Sequence, residues 1–202
     1  MCFALWYPSQ GNDRTSALLH EFILPTEGEC LIHGNASFLP AYFERALGAA
    51  VAAKAGLALL HSHVGPGWQG MSSDDVAAEL GHAAPTKGAT GLPLVGLTVG
   101  TDEAWSARFW EKTAPRSYER RWCETVRVVG DRLVVTYAEK MQSELLFRPE
   151  LARTISAWGP RVQEVLSQLR IGVIGAGSVG SIVAEALARM GVSWIRLIDF
   201  DS

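Results

Sequence analysis

Arg170–Asp199 constrains the fold more than any other stretch of this 202-residue chain. It reads RIGVIGAGSVGS, then an apolar run to Met190, then Gly191, then WIRLID ending on Asp199. A short apolar run, Gly-x-Gly-x-x-Gly, a helical stretch, a second apolar run and an acidic residue about 20 positions after the glycines together predict a parallel strand–helix–strand unit. Gly175 permits a tight turn, Gly177 lets backbone approach a phosphate at the helix N-terminus, and Gly180 lets helix and strand pack closely. Asp199 is placed to reach ribose hydroxyls, with Asp201 beyond it. One such unit cannot bury both its faces, so the stretch is expected to open a larger Rossmann-like α/β domain.

A second feature lies upstream. Gly56–Leu60 is a short apolar run bounded by glycine, as a buried strand would be, and His61-Ser62-His63 continues it. Side chains on a strand alternate with period two, so both imidazoles leave on one side. A Gly/Pro-rich loop follows, then Ser72-Ser73-Asp74-Asp75 at the start of a predicted helix over 73–84. Two histidines and one carboxylate leave a fourth tetrahedral position open, which separates a catalytic zinc from a structural one.

The rest of the N-terminal region reads as α+β. Strands are expected at 2–7, 16–24, 29–33, 56–60, 92–100, 104–111, 122–129 and 132–137, and a helix at 38–54. Pro85–Gly91 reads as a loop and Gly130-Asp131 as a hairpin turn. The fold class is a mostly antiparallel sheet with packed helices. The domains expected are 1–137, a helical connector over 138–169 broken at Gly159-Pro160, and the nucleotide-binding start over 170–202.

Composition sets bounds. With 48% hydrophobic and 19% charged residues, core size is not limiting. A net charge of −3 makes no electrostatic case for nucleic acid or an anionic membrane as partner. Cys2, Cys30 and Cys123 are odd in number and widely spaced, which favours a reducing cytoplasm over a disulfide framework. No run approaches the ~18 apolar residues of a membrane span. His20, His33 and His82 have no partner at ligand spacing and read as structural or surface. Trp105, Phe109 and Trp110 read as strand core, and Trp68 as a loop anchor or the wall of a groove.

Two resemblances follow. Residues 1–137 resemble the JAB/MPN (JAMM) zinc metallopeptidases, on His61-Ser62-His63 followed by Ser72-x-x-Asp75. The spacer is one residue longer than usual, and Val64 stands where that family often has proline. Residues 170–202 resemble the opening of the ThiF-type, ubiquitin-activating-enzyme-like adenylyltransferases, on GAGSVGS, ARMGV and LIDFD. Bacterial proteins that join the two in this order are associated with ubiquitin-like modifier pathways.

The first resemblance implies hydrolysis of a peptide or isopeptide bond at the tail of a ubiquitin-like protein. His61, His63 and Asp75 would hold Zn2+, and Ser72 would hydrogen-bond the developing oxyanion. The family's general base is a glutamate just before the strand that here begins at Met1-Cys2-Phe3. It is therefore expected ahead of residue 1, in a longer protein, with Glu21 the in-chain candidate. The second resemblance implies ATP and Mg2+ at the glycine loop. The rival readings are an ATP-dependent adenylyltransferase that activates the C-terminus of a ubiquitin-like protein, an NAD(P)-dependent oxidoreductase, and a binding module without catalysis.

Overall fold

The computed structural model describes residues 1–33, 35–141 and 149–200. They form two compact units, 1–139 and 140–202, within a mixed α/β architecture whose main sheet is largely antiparallel.

The first unit is built on β1 (Cys2–Gln10), β2 (Thr15–Ile23), a small hairpin of β3 (Cys30–His33) and β4 (Asn35–Phe38), α1 (Pro40–Ala52), β5 (Gly56–Ser62), α2 (Ser73–Thr90), β6 (Leu94–Val99), β7 (Trp105–Ala114) and β8 (Ser117–Trp122). A second hairpin of β9 (Thr125–Val129) and β10 (Leu133–Tyr137) completes it. The main sheet has six strands in the order β2-β1-β5-β6-β7-β8. Of its neighbouring pairs, β5 and β6 alone run parallel, joined by α2 as a parallel crossover requires.

Alternation divides the sheet into two faces. Phe3, Leu5, Leu57 and Leu59 pack against Tyr42, Phe43, Ala46 and Ala50 of α1. Leu94 and Trp110 pack with Ala83 of α2. The opposite face carries Ala4, Trp6, Ala58, Leu60, Val95, Leu97, Ala107 and Phe109, with Cys123 and Val126 against it. Tyr42 ties α1 to two strands: its hydroxyl accepts from the Phe3 amide at 3.1 Å and donates to the Ile23 carbonyl at 2.5 Å. Phe3, Leu57 and Leu59 are at most 2% exposed, each worth roughly 1.5–3 kcal/mol of burial.

Several features differ from the sequence expectation, β4 and β8 among them, which lie where no strand was expected. The helix expected to stop at residue 84 runs to Thr90, through Pro85, and ends on Gly91 with a left-handed φ of 74°. Proline in a helix interior removes one backbone bond, but Ala83 and Thr86 on either side are fully buried, and that packing carries the helix on. The strand expected over 122–129 is two strands, because the chain leaves the main sheet after Trp122 and pairs with β10 from Thr125. The expected connector is not separate: α3 (Ala152–Trp158) and α4 (Pro160–Gln168) lie in the second unit, where the Gln163 amide donates to the Met190 carbonyl at 3.0 Å.

The remainder of that unit is β11 (Arg170–Ile174), α5 (Ser178–Arg189) and β12 (Trp194–Ile198). β11 and β12 pair in parallel, Arg170 with Trp194 through Ile174 with Ile198. No helix of the described residues is long and apolar enough to cross a membrane.

Candidate metal centre and glycine loop

His61 is the penultimate residue of β5, opposite Thr98 of β6. The ladder continues one residue further, with the His63 amide donating to the Val99 carbonyl at 2.9 Å. This holds Ser62 and His63 in extended backbone, so both imidazoles return to the same side. The loop that follows is folded on itself and pinned to the end of β6. The Gln69 amide donates to the carbonyls of Gly65, Pro66 and Gly67, Thr101 N–H donates to the Gly65 carbonyl at 3.0 Å, and Gly67 N–H donates to Asp102 at 2.9 Å. Trp68 packs on Trp122 with ring centroids 5.9 Å apart.

The loop delivers the chain to Ser72, the N-cap of α2. Asp75 N–H donates to Ser72 Oγ at 3.2 Å, and Ser72 N–H donates to Asp75 Oδ2 at 2.8 Å, a reciprocal capping box. The Ser72 hydroxyl also donates to Asp75 Oδ2 at 2.8 Å. The Asp75 carboxylate therefore turns back over the helix start, toward the end of β5.

Three side chains converge there. His61 Nε2 lies 3.2 Å from His63 Nε2 and 3.3 Å from Asp75 Oδ1, and His63 Nε2 lies 3.2 Å from Asp75 Oδ2. Donors about 2.0–2.1 Å from a tetrahedral zinc stand about 3.3–3.4 Å from one another, so the three atoms already have the spacing of one face of that tetrahedron. Among the described residues these are the His, Cys, Asp or Glu side chains grouped closely enough to hold a metal ion. Their side chains are 11%, 25% and 19% exposed, half-sunk but reachable. The donor set of two imidazoles and one carboxylate fits zinc.

The electrostatics suit a cation. Burial holds the His61 imidazole below its usual range, with Arg108 and His63 adding to the effect, which leaves the neutral form that ligates. Burial pushes the Asp75 carboxyl up, but the Ser72 amide and hydroxyl bonds and both imidazoles outweigh it and hold the group below the ordinary value.

The other expected residues fall as follows. Glu21 is not brought to the cluster. It pairs with Leu5, which pairs with Leu57, four residues before His61. At ~3.3 Å per residue and ~4.8 Å per strand, its backbone is about 16 Å from that of His61. The N-terminal end of β1 is close instead, since Cys2 pairs with Leu60. Asp74 stays exposed in the first turn of α2. His82 packs on Phe43 and Phe38. His20 stacks on Tyr7. Trp110 and Phe109 are core, with Trp105 packed at its edge.

Three residues that spacing did not single out lie directly behind the cluster. Thr98 Oγ1 is 3.4 Å from His61 Nε2. Arg108 donates to Thr98 Oγ1 at 2.7 Å and to the Glu79 carboxylate. All three are fully buried. An arginine in the apolar strand Ala107–Trp110 was the available signal, because a buried charge needs a partner.

In the second unit, Gly175 follows β11 with a left-handed φ of 84°. A Cβ on Gly180 would run into the Gly175 backbone carbonyl, so the third glycine is fixed by the approach of α5 to the loop. Gly177 caps α5. Asp199 stands beside the loop at the end of β12, and its carboxylate accepts from the Ala176 amide at 2.5 Å. Part of its role is thus to hold the loop. Asp201 lies outside the described residues.

The ThiF family model matches residues 151–202, from the start of α3 onward. A tRNA threonylcarbamoyladenosine dehydratase 2 of Saccharomyces cerevisiae is 31% identical over 113 residues, covering 56% of this chain and 24% of the yeast protein. A tRNA threonylcarbamoyladenosine dehydratase of Escherichia coli is 40% identical over 55 residues, 27% of this chain and 20% of the bacterial protein. This chain therefore spans about a quarter or less of the length of these curated relatives. No solved structure matches. The stretch from α3 through the glycine loop to the end of β12 is thus ThiF-like in sequence.

Proposed function

We propose that the chain carries parts of two catalytic units. The C-terminal one is part of an ATP-dependent adenylating enzyme of the ThiF type. The match over residues 151–202 is the observation that carries this reading, and the glycine loop between β11 and α5 is its physical counterpart. Gly175, Gly177 and Gly180 would admit the phosphates of ATP to the N-terminus of α5, with Asp199 holding the loop and facing the ribose. Magnesium would accompany the nucleotide. The group activated is a carboxylate, and the C-terminus of a ubiquitin-like protein is the substrate proposed. The curated relatives are named for a modified tRNA nucleoside, which is the competing substrate. ATP–pyrophosphate exchange by the full-length protein that carries this stretch, run with each substrate, tests the reading. Exchange that depends on a ubiquitin-like tail is expected, whereas exchange with tRNA alone, or none with either, would contradict it.

The second reading, for the N-terminal unit, is a zinc-dependent peptidase or isopeptidase of JAB/MPN type that acts on a ubiquitin-like conjugate. It is carried by the 3.2–3.3 Å triangle of His61, His63 and Asp75. Zinc bound there supplies a Lewis acid and a water whose pKa falls toward ~7. The two imidazoles and the carboxylate hold the ion. Ser72 presents Asp75 to it, and by turning its hydroxyl from Asp75 Oδ2 toward substrate it would serve a developing oxyanion. The general base is expected where the N-terminal end of β1 meets His61, not at Glu21. Cleavage of a ubiquitin-like fusion that is abolished by chelation and by His63→Ala supports this reading. Cleavage lost in Glu21→Ala but kept in His63→Ala would contradict it.

A further inference from the structure

Asp75 and Glu79 stand one turn apart on the same face of α2. Glu79 is fully buried. Its carboxylate accepts from Arg108 Nε at 2.9 Å, from a second guanidinium nitrogen, and from the Trp110 indole at 2.6 Å. Arg108, equally buried, extends its remaining arm to Thr98 Oγ1, which lies beside the His61 ring, 3.4 Å from Nε2. One line of polar contacts therefore runs from the helix that carries Asp75, across β7 and β6, to the strand that carries His61.

The sequence is fitted to this line. Gly96 sits between Leu59 and Arg108 in register. A Cβ there would run into the Glu79 carboxylate and stand 2.6 Å from Arg108 Nε. The strand gives up a side chain at its centre so that the ion pair can lie flat on it.

As a source of stability such a pair is a poor choice. Desolvating two charges offsets most of their attraction, and apolar side chains of like volume commonly hold a helix as firmly. What apolar packing does not do is fix the slide and roll of a helix. A forked guanidinium on a carboxylate fixes both. A ligand set must be held to within about 0.5 Å, and Asp75 is one turn from the clamp.

We propose that the Glu79–Arg108 pair is a positioning device for the metal centre: it sets α2 so that Asp75 meets both histidines, and the Thr98 hydroxyl anchors the guanidinium to β6 beside His61. This rests on the zinc reading of that cluster. None of the three side chains is a ligand, so their effect on the site reads out in metal affinity and geometry.

The test compares the full chain with Glu79→Leu/Arg108→Met, Thr98→Val and Thr98→Ser. Zinc affinity is measured against a chromophoric chelator, geometry by the visible bands of bound Co2+, and folding by the Tm of the metal-free protein. The double variant is expected to fold with a Tm lowered by the Trp110 indole that it leaves without an acceptor, to bind zinc about 10–100-fold more weakly, and to show altered Co2+ bands. Thr98→Val is expected to weaken zinc about 10-fold, and Thr98→Ser to restore it. Parent affinity and parent Co2+ bands in both the double variant and Thr98→Val would overturn the proposal. If the double variant does not fold, Thr98→Val against Thr98→Ser decides: equal affinities overturn it, and weakening rescued by serine supports it. A parent chain that binds neither zinc nor Co2+ would instead overturn the metal reading, and this inference with it.

Discussion

Ser72 and Asp75 hold each other by three hydrogen bonds, two that close the capping box and one from the Ser72 hydroxyl to Asp75 Oδ2. The same carboxylate lies within 3.3 Å of both histidines. The start of α2 and the proposed third ligand are therefore one structure. Ser72→Ala is expected to cost about 0.5–2 kcal/mol as a lost N-cap. It should also weaken zinc by about 10–100-fold, as loss of a group that orients a ligand does. Chemical denaturation and a chelator competition measure the two effects separately. Loss of stability with unchanged affinity would make Ser72 a cap alone.

Arg45 on α1 clamps Glu29 in front of β3, with Nε 2.9 Å from the carboxylate and the Thr26 amide donating to it as well. The Arg45 bond, then the Thr26 amide, hold the Glu29 carboxyl down at about 2. A carboxyl whose folded value lies below its ordinary 4.5 binds its proton first in the unfolded chain. Its contribution is present above about pH 4.5 and is lost as pH falls toward 2. The stability difference between the parent and Glu29→Gln is expected to be largest above pH 5 and to shrink through that window in denaturation curves. A difference independent of pH would contradict the ion pair.

Burial against the Ala4–Phe109 face pushes the Cys123 thiol up to about 11. At pH 8 only about one thiol in a thousand is then the reactive thiolate. Iodoacetamide is expected to leave Cys123 unlabelled in the folded protein and to label it in denaturant, as read by mass spectrometry. Prompt labelling of the native chain would contradict the packing of β9 on that face.

Gly180→Ala places a methyl group on the Gly175 carbonyl. Overpacking of this kind costs about 1–3 kcal/mol, and here it also moves the loop that would meet the phosphates. The variant is expected to lose ATP binding, measured by calorimetry, by more than its loss of stability explains. Unchanged binding would remove the glycine loop from the nucleotide site.

The readable parts of this fold are those whose period is local. The continuous apolar run Gly56–Leu60, bounded by glycine, marked β5, the apolar spacing of Phe43, Leu47 and Ala50 marked α1, and Gly130-Asp131 marked the β9–β10 turn. His61, His63 and Asp75 were legible because a strand and an N-cap each announce themselves within a few residues. What escaped depends on register. Glu79 lies a helical turn past Asp75, but its partner Arg108 is brought to it only by the pairing of β6 with β7. Thr98 matters because it pairs with His61 across a parallel ladder. Glu21 fits the chemistry of a base in one dimension and fails in three, since β2 is two strands removed from β5 and Glu21 lies far along it. The helix break at Pro85 is overridden by burial of Ala83 and Thr86, which no local rule reports.

Zinc K-edge X-ray absorption on the full chain loaded with one equivalent reads the proposed three-ligand zinc centre at the end of β5. A four-coordinate ion is expected, with nitrogen and oxygen neighbours at about 2.0–2.1 Å and the scattering pattern of two imidazoles, lost in His63→Ala. Sulfur neighbours at about 2.3 Å, or a spectrum that His63→Ala leaves unchanged, would contradict it.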